Sequence, residues 1–140
     1  MNYSGAKAAL QEYKKINSHS MVEGASPHRI IQMLMVGALE RLNSARCLMV
    51  EGKLAQKSET ITSVISIIDG LRISLDKEQG GEIAQNLEDL YDYMVRRLVV
   101  ANASNEPEVI DEVCDLLKQI KEAWDAIAGA ERPHTGQPAA

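Results

Sequence analysis

Phenylalanine is absent from this 140-residue chain, and aromatic residues make up only 4% of it, as one Trp and four Tyr. A core without large rings must be filled by Leu, Ile, Val, Met and Ala, which suits interdigitating helices better than a β-sandwich. Proline is scarce too, at Pro27, Pro107, Pro133 and Pro138 alone, so long stretches carry no backbone breaker. The two cysteines, Cys47 and Cys114, lie far apart and outside any CxxC pair, and they read as reduced thiols serving as small apolar side chains. No run approaches the roughly 20 apolar residues of a membrane span. The first residues, MNYSGAKAALQEYKK, lack the continuous apolar middle of a signal peptide. These absences point to the cytosol as the expected location. Positive charge is in deficit, 15 Lys and Arg against 20 Asp and Glu for a net charge of -5, which argues against nucleic acid as a partner. The pair Arg96-Arg97 is too small to change that.

What remains is an ordinary globular composition, 45% apolar and 25% charged, at a length that fits one domain. Ser26 followed by Pro27 is an N-cap with proline at the first helical position, and it predicts a helix to about Val50, with Gly52 beyond its end. Apolar residues at Ile61, Val64, Ile65, Ile68, Leu71 and Leu75 predict a second helix over about 55–77. A third, over about 81–103, follows from Ile83, Leu87, Leu90, Met94, Leu98 and Ala101. Gly80-Gly81 reads as the turn between them. In the fourth, Asn105 is the expected cap, Pro107 opens the helix and Gly129 follows its end, with Val109, Val113, Leu116, Ile120, Ala123 and Ile127 as the buried stripe. Four helices of roughly 20 residues with short connections make an all-α, antiparallel, up-down four-helix bundle.

Both ends differ from this body. Residues 1–20 carry only a thin stripe, Tyr3, Ala6, Leu10 and Tyr13, with no strong cap, and are expected to form a mobile helical segment docked weakly on the bundle. The bundle is placed at residues 21–129. Residues 130–140 lack periodicity and are expected to be disordered.

A bundle can house a di-iron site, which needs Glu-x-x-His motifs facing its core. The histidines here are His19, His28 and His134, and the one Glu-x-x-His string, Glu131 to His134, lies in the tail and contains Pro133. There is no Gly-rich phosphate loop and no nucleophile-and-base pattern. The expectation is therefore no catalytic, cofactor or metal residue, and a chain that is not an enzyme.

Apolar surface, by contrast, is in excess. In the Ser26 helix the seam Ile31, Leu34, Met35, Ala38, Leu42, Ala45 and Met49 suffices for a bundle core. Yet Ile30, Met33, Val36 and Leu39 are apolar as well, and a helix apolar on all sides must be buried on all sides or meet a partner. Met33, Met35 and Met49 are adaptable side chains of the kind that accept helical ligands.

ASPHRIIQMLMVGALERLNSAR, residues 25–46, and LDKEQGGEIAQNLEDLYDYMVRRLVVAN, residues 75–102, closely resemble the FliS family of flagellin-specific export chaperones. The spacing of GGEIA, NL, LYDYM, RRL and AN is more specific than a bundle requires, and the likeness runs from about Gly5 through the region of Trp124. Met35-Val36 departs from it, the family commonly having a large residue followed by Asp. The resemblance implies an antiparallel helical bundle that binds the disordered carboxy-terminal segment of flagellin, prevents premature polymerisation and delivers the client to an export-gate membrane protein. It implies a client groove beside the Ser26 and Gly81 helices, at Ile30, Ile31, Met33, Leu34, Leu39, Leu87, Tyr91, Met94 and Val95. It further implies an amino-terminal lid carrying Tyr3, with Leu10 and Tyr13 as the gate contact, no cofactor, and a monomer or weak homodimer. A regulatory adaptor that sequesters a transcription factor or anti-sigma factor, and a homo-oligomer packed through the apolar helix, are the alternatives.

Overall fold

The first helix, α1 (Pro27–Val50), begins where Ser26 holds an extended backbone and its hydroxyl accepts a hydrogen bond from the Arg29 N–H at 3.1 Å. Such a cap contributes about 1 kcal/mol. Beyond Val50, Glu51 closes the helix and Gly52, at φ +78, turns the chain back. The computed structural model describes residues 24–136, with side chains through residue 127; Tyr3, Leu10 and Tyr13 lie outside that range.

The second helix, α2 (Leu54–Ile73), stops short of the expected boundary near Lys77 because Asp76 caps the next helix, its carboxylate accepting from the Gln79 N–H at 3.1 Å. The third, α3 (Lys77–Ser104), therefore starts before Gly80-Gly81. The glycine pair does break the helical backbone, as the sequence suggests, with Gly81 at φ 54 and ψ -125, but the piece before the break is a short one that starts at Lys77 rather than the end of α2. Asn105 changes role. It ends α3 in the left-handed conformation, φ 55 and ψ 49, with its N–H bonded to the Ala101 carbonyl at 2.8 Å, rather than capping the helix that follows. Asparagine is one of the few non-glycine residues that visits this region at low cost. The last helix, α4 (Pro107–Gly136), runs through Gly129 rather than ending before it. A glycine ends a helix only by turning left-handed and otherwise costs about 1 kcal/mol inside one.

Successive helices are antiparallel neighbours, and α1 packs on α4 to close the bundle. The ends show the pairing directly. Arg46, late in α1, meets Asp111, early in α4, at 2.7 Å. His28, in the first turn of α1, stacks on Trp124, late in α4, with ring centroids 4.5 Å apart and planes 6° from parallel. Lys57, early in α2, reaches Asn102, late in α3. The expected all-α four-helix bundle is the observed fold.

The core is aliphatic, as the composition requires: Leu34, Met35, Leu42, Ile61, Ile67, Ile68, Leu71, Met94, Leu98, Ile110 and Leu117 are fully buried. Each contributes about 1.5–3 kcal/mol over its exposed state. One expectation fails here. The seam does not call for Met33, but it is 6% exposed and belongs to the core, in sequence with Leu34 and Met35. Because α1 packs against both α2 and α4, its buried arc is wider than a single stripe. Ile30 and Leu39 are half-buried and pack against the same core.

Candidate apolar docking site

Burial fades along α3 and α4 toward one end of the bundle. In α3, Met94, Leu98 and Ala101 are buried, Leu87 and Leu90 half-buried, and Ile83 is 70% exposed. In α4 the sequence runs the other way: Val109 and Val113 are buried, Ile120 half-buried, and Ile127 is 46% exposed. Two antiparallel helices that lose their cover at the same end leave, among the described residues, an open apolar space between them.

That space is a cavity of about 650 Å³, within the roughly 300–1,000 Å³ common for ligand sites. Its α3 wall is Ile83, Ala84, Leu87 and Tyr91, and its α4 wall is Ile120, Ala123, Trp124 and Ile127. The floor is Ile31 and Met35 of α1 with Leu71 of α2. One end is closed by the segment that carries Ser74, Leu75, Asp76, Gln79 and Gly80. Outside that end wall the polar side chains of the lining are Gln119, the Trp124 indole and Tyr91, whose phenol burial pushes far above its ordinary value. Among the described residues, no group of three or more His, Cys, Asp or Glu could hold a metal ion. A space so lined offers apolar contact and little else.

Polar bonds fix the wall that Trp124 provides. The His28 Nε2 lies 2.8 Å from the Trp124 carbonyl, which can only accept, so Nε2 carries the proton and donates. In return the Trp124 indole N–H donates to the His28 carbonyl at 3.0 Å. One residue on, Asp125 accepts from Gln32 at 2.6 Å and from Lys121 at 2.7 Å, bonds that hold its carboxyl below the ordinary range. The start of α1 is thus clamped to the end of α4, and the cavity opens between α3 and α4 instead.

Of the residues the sequence points to, Ile31, Leu87 and Tyr91 come together in this cavity. Met33, Leu34 and Met94 do not; they are buried in the core. Ile30, Leu39 and Val95 are half-buried around it, apart from the cavity lining. The α4 wall went unrecognised in the sequence, although Ile120, Ala123, Trp124 and Ile127 stand at helical spacing and include the only tryptophan.

Comparison with known protein families matches residues 9–131 to the family described as flagellar protein FliS. The chain belongs to the FliS family. Among its relatives, the flagellar secretion chaperone FliS of Salmonella typhimurium is 47% identical over 122 residues, covering 86% of this chain and 90% of the relative. Flagellar secretion chaperone FliSB of Pseudomonas aeruginosa is 46% identical over 123 residues, covering 88% and 98%. The FliS of Vibrio cholerae is 44% identical over 121 residues, covering 86% and 89%. The family resemblance read from residues 25–46 and 75–102 is therefore correct. Among the described residues, no helix of this FliS-family chain is long and apolar enough to cross a membrane.

Proposed function

We propose that this chain is a cytosolic flagellar secretion chaperone that binds the disordered carboxy-terminal segment of flagellin, keeps it from polymerising, and delivers it to the export gate. The observation that carries the reading is the apolar cavity that the described residues leave open between α3 and α4, in a chain whose relatives are named flagellar secretion chaperones. A disordered client segment with apolar side chains at helical spacing would fold as it enters. Ile31, Leu87 and Tyr91 would contact it together with Ile83, Ile120 and Trp124. Ile30, Leu39 and Val95 would extend the contact along the bundle, and the buried Met33, Leu34 and Met94 would support it from beneath. Folding on binding buries on the order of 1,000–3,000 Å² and costs roughly 2–5 kcal/mol in ordering. The role is binding, with no chemical step.

The test is calorimetric titration of full-length flagellin monomer, and of flagellin lacking its carboxy-terminal segment, into this protein. Saturable binding of the first and none of the second is expected. Equal binding of both would refute the reading.

A further inference from the structure

We propose that the first turn of α3 is a hinged end wall of the cavity, swinging on Gly81 and latched closed by Lys77 and Glu88. The latch is visible as an ion pair of 2.7 Å between the Lys77 Nζ and the Glu88 Oε1. In an unbroken helix residues 77 and 88 would stand about 16 Å apart along the axis, beyond what a lysine and a glutamate span together. The pair therefore forms only in the kinked state.

Both glycines are required for that state. Gly81 takes φ 54, where a side chain is strained, and a Cβ at Gly80 would lie 2.8 Å from the Ala84 Cβ. In a straight helix neither demand exists, and alanine is there the better residue. The pair thus keeps α3 between two arrangements, kinked with the latch formed and straight with it broken. The kink matters to the cavity because the segment it displaces lines one end: Asp76, Gln79 and Gly80 face the space bounded by Trp124 and Ile127. Straightening α3 carries this wall away and lengthens the opening. The latch side chains are solvent-accessible, so salt weakens the closed state. The role of the hinge, to retain and release a client, rests on the chaperone reading; the motion itself does not.

The test uses the full chain with the exposed Cys47 replaced by Ser and the buried Cys114 kept. Nitroxide labels at Gln79→Cys and Glu122→Cys report the distance across the cavity by pulsed dipolar spectroscopy. In the Gly80→Ala, Gly81→Ala variant the distance should lengthen by about 5 Å or more, one helical turn, and Glu88→Lys should shift it the same way. Should the double-alanine variant lose its helical circular dichroism, Glu88→Lys decides alone. Distances unchanged in the folded variants would overturn the hinge. A flagellin carboxy-terminal peptide should dissociate at least tenfold faster from the double-alanine variant than from the unlabelled parent, and equal rates would overturn the latch as a retaining device. A peptide that fails to bind the parent refutes the chaperone reading instead, while the label distances still decide the motion.

Discussion

Replacing Asn102 by Ala would remove one of the two oxygens that hold a buried ammonium. Lys57 is 2% exposed, and its Nζ donates to the Asn102 backbone carbonyl at 2.9 Å and to the Asn102 Oδ1 at 2.7 Å. The carbonyl belongs to the last turn of α3, where carbonyls lack partners within the helix and a positive charge is favourable. Ser58 also donates to the Oδ1, at 2.9 Å, so the asparagine side chain ties two groups of α2 to the end of α3. A hydrogen bond to a charged group is worth about 1.5–3 kcal/mol, and its loss here leaves a charge with one partner fewer. Asn102→Ala should therefore destabilise by about 2–3 kcal/mol, or roughly 8–12 °C in Tm for a domain of this size. Lys57→Met removes the charge itself while keeping most of the side-chain volume, and the half-buried Asn102 carbonyl can turn to water. That variant should cost no more than about 1 kcal/mol. Thermal unfolding of the two single variants and the double variant checks the order. If Lys57→Met proves more damaging than Asn102→Ala, or if the double variant is no better than Asn102→Ala alone, the account of a buried charge held by Asn102 is wrong.

Met33→Glu would bury a carboxylate without a partner and should cost about 3 kcal/mol or more, seen as a large fall in Tm; a change within the roughly ±0.5 kcal/mol of surface substitutions would return Met33 to the surface. Glu112 is held below its ordinary 4.5 by hydrogen bonds from Tyr93 and then Arg97, and Asp125 below its ordinary 3.8 by Gln32 and then Lys121. Groups depressed on folding stabilise above their unfolded values and lose that contribution as pH falls through the folded ones. Denaturant midpoints should thus stay level from neutrality to about pH 4.5 and fall below it, and a rise on acidification would contradict the two bonding sets. Leu10→Ala with Tyr13→Ala should leave the melting transition intact but lower flagellin secretion by cells, and normal secretion would remove this pair from the gate contact.

Local rules made most of the fold legible. Ser26-Pro27 predicts its helix start because capping involves a few adjacent residues, and the aliphatic stripes of α1 and α2 predict their own burial, whereas that of α4 does so at Val109 and Val113 but not at Ala123 and Ile127, which are exposed. Where one residue type serves two ends of a helix, the sequence misleads: Asn105 suits an N-cap and a left-handed C-cap alike, and before Pro107 the two readings overlap. Gly80-Gly81 marks its break correctly, since φ 54 at Gly81 calls for glycine, but the short helical piece that Asp76 caps upstream carries no apolar stripe of its own to announce it. The site was less legible than the fold. Met33 and Met94 sit in apolar runs that could face either way, and only the assembled bundle shows them buried in its core. The cavity arises because α3 and α4 lose cover at one end, a property of two helices together that no single stripe records. Ile83, placed in the buried stripe by its spacing, stands at the mouth for this reason.

Ile83 is also where the central claim is most directly exposed to test. It is largely exposed yet lines the cavity, so Ile83→Glu should hardly change stability while placing a charge where an apolar client must dock. A flagellin carboxy-terminal peptide titrated into the parent, followed by the emission of Trp124 in the opposite wall, should give a saturable change. The same titration into Ile83→Glu, with an unchanged melting transition, should show affinity lower by at least tenfold. Undiminished affinity in a folded Ile83→Glu variant, or binding to the parent that leaves Trp124 emission unaltered, would contradict a client site between α3 and α4.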